Sequence, residues 1–175
     1  MVIWMIGLSG SGKTTLSQLA YQQLKPRLPG LVRLDGDVIR ALFGNDVDHT
    51  IEGRRRNAQR LSALSKFLAD EGIHVIAAVL SIFPEWRQWN RDNIPGYAEV
   101  YIKASMDTLL RRDTKNLYAP ALRGEIPNVV GVDIPFPDPV SPDLVFDNDA
   151  DRREFGDMVE RVMQLHVVRN ALGRE

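Results

Sequence analysis

The sequence predicts an α/β fold, a three-layer doubly wound sandwich built on a parallel sheet of about five strands. Three observations carry that expectation. Residues 7–15 read GLSGSGKTT immediately after the apolar run Val2 to Ile6. Five short runs rich in Val, Ile and Leu show no polar alternation, as strands covered on both faces do. Segments with helical periodicity separate those runs, giving the βα order of a parallel sheet. The GLSGSGKTT segment fits GxxxxGK[ST], a phosphate-binding P-loop, and so points to a P-loop NTPase of nucleotide kinase-like architecture.

In chain order, Val2 to Leu8 is the first strand and feeds the P-loop. Lys13 to Leu24 is a helix stopped by Pro26 and Pro29, and Leu31 to Leu34 is the second strand. A long helix runs from Ile51 to Asp70 and closes at Gly72. Its positions Leu61, Leu64, Phe67 and Leu68 are expected to face the core. His74 to Leu80 is the third strand, Glu85 to Arg91 a short helix, Ala98 to Ala104 the fourth strand and Met106 to Asp113 another helix. Leu117 to Pro142 carries six prolines and two glycines with no regular period, so a lid or loop is expected over about 114–142. Leu144 to Phe146 is the fifth strand, and Asp151 to Leu172 reads as one terminal helix. The whole, 1–175, reads as a single kinase domain, since 175 residues at 44% hydrophobic content suffice for one full core.

The P-loop spelling has a chemical reason. Glycines let backbone N–H groups converge on phosphate oxygens, and the following helix offers its positive N-terminus to the same anion. Gly7, Ser9, Gly10, Ser11, Gly12, Thr14 and Thr15 therefore read as nucleotide-binding. Lys13 is expected to reach the β- and γ-phosphates, and the Thr14 hydroxyl to sit on Mg²⁺. A second motif, LDGDVIR, sets Asp35, Asp37 and Arg40 where the second strand ends, facing the P-loop. A carboxylate there can take a proton from a hydroxyl or hold a magnesium water, and Arg40 can form a fork with an anion. An Asp-Gly turn capping the next helix is the structural alternative, and it covers one carboxylate. Arg54, Arg55, Arg56 and Arg60 crowd the start of the long helix, where cations oppose the helix dipole, so at least one is expected to meet an anionic ligand. Arg111, Arg112 and Lys115 form a second basic group suited to phosphoryl-transfer charge.

Composition narrows the partners. Twenty-two basic and 23 acidic residues leave a net charge of −1, which gives no reason to expect nucleic acid or a membrane surface. There is no cysteine, and His49, His74 and His166 lack metal-ligand spacing. The first strand starts at Val2 and leaves no room for a leader, and no apolar run reaches 18 residues, so a soluble, cytoplasmic protein is expected. The oligomeric state is open, a homodimer included.

GLSGSGKTT, LDGDVIR, RRRNAQR, the strand ending at Ser81, RRDTKNLY, GEI and GVDIPF together resemble the adenylylsulfate (APS) kinase family, in order and approximate spacing from Val2 to Asn148. The resemblance implies transfer of a phosphoryl group from MgATP to the 3′-hydroxyl of a small-molecule nucleotide acceptor. It implies that Lys13, Asp35 and Asp37 are catalytic, with Thr14 and Asp35 serving the metal and either aspartate serving the attacking hydroxyl. Arg111 is assigned to ATP; Arg40, Arg54, Asn57, Ser81, Lys115 and Val129 are assigned to the acceptor. Lys115, with Asp113 and Tyr118, forms the lid entrance.

Departures from the family pattern bear on the acceptor. The two phenylalanines that clamp adenine in the family fall on His49 and Val129. Losing two aromatic partners at about 0.5–1.5 kcal/mol each weakens adenine binding by roughly one to two orders of magnitude. The family's SPYR becomes Ser81-Ile82-Phe83-Pro84. These features look like a divergent branch containing cytidine diphosphoramidate kinases, which act in capsular polysaccharide modification; APS in sulfate assimilation is the alternative acceptor. A nucleotide-binding regulatory module without turnover is a further reading, opposed by Asp35, Asp37, Arg54, Asn57 and Lys115.

Overall fold

The computed structural model describes residues 1–113, 115–150 and 155–173. Strands β1 (Val2–Ile6), β2 (Val32–Asp35), β3 (Val75–Val79), β4 (Tyr97–Lys103) and β5 (Leu144–Asp147) form one parallel sheet in the order β2-β3-β1-β4-β5. Each expected strand is present, with its ends moved by no more than two residues. The helices are α1 (Lys13–Leu24), α2 (Gly36–Leu42), α3 (Ile51–Asp70), α4 (Pro84–Asn93), α5 (Met106–Arg111), α6 (Tyr118–Leu122), α7 (Gly156–Met163) and α8 (His166–Ala171). Among the described residues, no helix is long and apolar enough to cross a membrane.

The central strand explains the missing polar alternation. Ile3 and Met5 enter a core completed by Leu16 and Leu24 of α1, Met158 and Val162 of α7 and Val168 of α8. Val2, Trp4 and Ile6 enter a second core with Leu61 of α3 and Ile94 beyond α4. Both faces of β1 are covered, so both parities must be apolar.

Three expectations change. Phe67 is 60% exposed, whereas Leu61 is buried and Leu64 and Leu68 are partly buried. Six residues at about 100° each carry Phe67 roughly 240° round the helix from Leu61, off the buried face. The terminal helix is broken: α7 ends before Gln164, and Leu165 is extended (ψ 135) ahead of α8. Val162 and Val168 both reach the same core, whereas six positions along an unbroken helix would turn Val168 roughly 120° away from Val162. Residues 151–154, the start of that predicted helix, lie outside the described residues. The stretch 117–142 contains α6 and a bridge between Val130 and Ile134, and it buries Tyr118, Ala121, Val129, Val130 and Ile134. Side-chain carboxylates replace a regular ladder here. Asp113 accepts from the backbone N–H groups of Leu117 (2.8 Å) and Tyr118 (2.7 Å), and Asp133 from those of Asn128 (2.6 Å) and Val129 (2.5 Å).

Candidate active site

The carboxyl ends of β1, β2 and β3 meet at one edge of the sheet, the crevice where open α/β folds bind ligands. After β1 the chain turns through Gly7 and reaches Gly12, whose φ of +103 suits glycine and which precedes α1. A Cβ on Gly12 would stand 2.8 Å from Asn148 Nδ2 and 3.2 Å from the Phe155 ring. The loop is held from behind: buried Asn148 donates from Nδ2 to Ser11 O (2.8 Å), and the Tyr118 hydroxyl donates to Ser9 O (2.8 Å). Lys13 folds over its own loop and donates to Leu8 O at 2.7 Å. Desolvation pushes its ammonium down to about 8, against the pull of the Asp35 and Asp37 carboxylates.

Asp35 ends β2 and caps α2. Its Oδ1 accepts from Asp37 N (3.0 Å) while its Oδ2 accepts from Thr14 Oγ1 (3.2 Å), so the Asp-Gly cap and a contact with the P-loop coexist in one carboxylate. Asp37 is free of the cap and pairs through Oδ2 with Lys115 Nζ at 2.8 Å. Partial desolvation raises the Asp37 carboxyl, but the Lys115 ammonium, then the His49 and Lys13 charges, outweigh it and hold it below the ordinary carboxylate range.

A cavity of about 550 Å³ joins these groups and is lined by Ser9, Lys13, Thr14, Asp35 and Asp37 on one side. Arg40, Arg54, Asn57, Ser81, Lys115 and Val129 also line it. Arg54 donates from Nε to His49 O (2.8 Å) and from Nη2 to Asn128 O (2.7 Å), tying two rim segments together. Asn57 is 7% exposed, and its Oδ1 is buried without a hydrogen-bond partner among the described residues. Arg40 is buried, and its Nη1 is committed to Val47 O (2.7 Å) and Asp48 O (2.6 Å), so that edge of the expected fork holds a turn instead. Arg111 lies outside the lining and donates to Thr108 Oγ1 (2.9 Å); Arg112 is spent on the Asn148 and Ala150 carbonyls. Of the arginine cluster on α3, Arg54 is the member in the lining. Arg55 pairs with Glu85 and lies over the Phe83 ring, and Arg60 pairs with Asp46 and lies over Phe43.

His49 and Val129, the two clamp positions, both line the cavity, and so do Trp4, Phe83 and Trp86. Nothing local in the sequence distinguishes a core indole from a cavity wall. Phe43 and Phe136 do not line it; Phe136 stacks on Tyr101 with ring centroids 6.0 Å apart.

The sequence profile described as adenylylsulphate kinase matches residues 1–147. The chain belongs to that family. It is 41% identical over 163 residues to the cytidine diphosphoramidate kinase of Campylobacter jejuni, covering 93% of this chain and 94% of the relative. It is 38% identical over 155 residues to a probable adenylyl-sulfate kinase of Bacillus subtilis, covering 87% and 79%. Its fold superposes on the Mycobacterium tuberculosis APS kinase solved with AMPPNP and APS, with a TM-score of 0.81, 32% identity and coverage of 94% and 95%. The chain is thus a nucleotide kinase of the APS kinase family, a phosphotransferase.

Asn148, which no local motif announced, braces the P-loop through its hydrogen bond to Ser11 O. Asn148→Ala leaves Ser11 O without its buried donor and is expected to cost about 1–3 kcal/mol of stability. Denaturant unfolding measures that loss, and an unchanged midpoint would remove Asn148 from the support of the loop.

Proposed function

We propose that this kinase moves the γ-phosphoryl group of ATP to the 3′-hydroxyl of a nucleotide with an anionic 5′ tail, and that this nucleotide is cytidine diphosphoramidate. The observation that carries the reaction is the single cavity shared by Lys13 and Thr14 of the P-loop with Asp35 and Asp37. A triphosphate fits the glycine-rich loop, in which Gly7, Gly10 and Gly12 all take positive φ, and the adjacent Lys13 ammonium. Magnesium fits the hard oxygens of Thr14 and Asp35, which already meet at 3.2 Å. When bound, the ion neutralises charge on the phosphate oxygens.

The protein's own groups do the rest. Lys13 holds charge on the transferred phosphoryl group. Lys115 leaves Asp37 for that same anion, and Asp37 accepts the proton of the attacking hydroxyl as the new O–P bond forms, the bond to the β-phosphate oxygen breaks and ADP departs. Arg54, Asn57 and Ser81 orient the acceptor. Such a kinase works in the cytoplasm, where ATP is supplied.

Two observations favour the cytidine acceptor: the Campylobacter jejuni relative, and the absence of phenylalanine at both clamp positions, His49 and Val129. The alternative is APS, favoured by Phe83 and Trp86 in the lining, which supply aromatic surface that His49 and Val129 withhold. Competition between the two acceptors at limiting ATP, with products resolved by mass, separates the readings. The expected preference for cytidine diphosphoramidate is at least about tenfold in kcat/KM, about 1.4 kcal/mol of transition-state binding. A preference for APS would assign the base slot to Phe83 and Trp86.

A further inference from the structure

Ser81, in the cavity lining just after β3, has φ +56; the other non-glycine residues with positive φ among those described are all asparagines. Asparagine tolerates this left-handed region and serine does so rarely, so surrounding contacts must hold Ser81 there. Two buried side chains do. Trp4, on the neighbouring strand β1 and 2% exposed, donates from Nε1 to Ser81 Oγ at 3.0 Å. Arg87 of α4, 5% exposed, reaches Ser81 O at 3.4 Å and Pro137 O at 3.0 Å through the same Nη1.

The indole contact fixes the polarity of the hydroxyl. An indole N–H only donates, so Ser81 Oγ is the acceptor toward Trp4 and keeps its own hydrogen for another partner. We propose that Trp4 is a positioning residue, which turns the Ser81 hydroxyl into the cavity as a donor to an anionic oxygen of the acceptor's 5′ tail, while Arg87 steadies the Ser81 carbonyl. The inference rests on the kinase reading for what enters the cavity. Trp4 also packs on Tyr97 with ring centroids 6.2 Å apart, a role that phenylalanine can keep. Trp4→Phe therefore removes the donor while retaining an aromatic core residue.

The test is a double-mutant cycle of Trp4→Phe and Ser81→Ala, with APS and with cytidine diphosphoramidate. Each single variant should raise the acceptor KM about tenfold while leaving the ATP KM within about twofold, and the double variant should be no worse than Ser81→Ala alone. Additive losses, or an equal rise in both KM values, would overturn the role, because a general packing defect does not select one substrate. The second measurement needs no substrate. In labelled protein, Ser81→Ala should shift the Trp4 indole N–H resonance, and Trp4→Phe should move the Ser81 backbone resonances out of left-handed values. Resonances unmoved in both variants overturn the proposal. Wild-type protein that phosphorylates neither acceptor overturns the proposed acceptor instead, and the resonances then judge the Trp4 contact by themselves.

Discussion

Lys13→Ala is expected to abolish phosphoryl transfer and leave the fold intact. Among the described residues the ammonium hydrogen-bonds to Leu8 O of its own loop and feels the Asp35 and Asp37 carboxylates of the cavity, so its removal costs no core packing. Calorimetric titration with ATP and a coupled ADP assay measure nucleotide binding and turnover; wild-type turnover in the variant would take the P-loop out of the mechanism. A pH dependence accompanies this prediction. In the free protein Lys13 titrates near 8, so above that pH the site has lost the cation that an anionic triphosphate requires. ATP affinity should fall as pH climbs past about 8, with up to one proton taken up per nucleotide bound, a quantity read by calorimetry in buffers of different ionisation heat. Stability moves the other way. The unfolded chain keeps this proton to its ordinary value of 10.5, so between about 8 and 10.5 it binds more protons than the folded one, and unfolding becomes harder as pH rises. Below 8 both states are charged and the dependence vanishes.

Asp37→Asn should preserve ATP binding and lower turnover by roughly two to four orders of magnitude, since an amide cannot accept the hydroxyl proton. Asp35→Asn differs because asparagine caps a helix nearly as well as aspartate. α2 should persist in that variant, and the loss should appear in the MgATP KM. Rates measured on each variant separately assign the two carboxylates, and unaffected rates in both would remove LDGDVIR from the chemistry. Because Asp37 titrates below the ordinary carboxylate range, it is ionised at neutral pH, and its loss of function in the wild type should appear only in acid. Lys115→Ala provides the complementary check. It frees the Asp37 carboxylate, whose pKa should rise, moving that acid limb toward neutral pH.

Much of this site was legible in the sequence because its code is local. The P-loop needs glycines within a few residues of one another, and Gly7 and Gly12 take up the backbone conformations that their spelling implies. α3 runs over the same residues, Ile51 to Asp70, that its periodicity and Gly72 delimit, and the structure adds the Thr50 side chain as its cap. Strands without alternation announced a sheet covered on both faces, and the side chains of β1 divide between two cores. Asp35 and Asp37 were visible as a pair, but their division of labour was not, since one carboxylate caps α2 while the other meets a lysine 78 residues away.

Tertiary structure decided which of several equivalent residues faces the cavity. Arg40 and Arg54 both read as anion-binding residues, yet Arg40 turns one edge to the carbonyls at 47 and 48 while Arg54 joins His49 to Asn128. Tyr118 reaches Ser9 across 109 residues and Asn148 reaches Ser11 across 137, pairings that no window of sequence contains. Trp4 and Trp86 became cavity walls only when the order β2-β3-β1-β4-β5 brought the ends of β1 and β3 together. The periods of 2 and 3.6 state which face of an element is buried. They carry no information about the polar partner a side chain meets there, because that depends on which strand the chain returns beside.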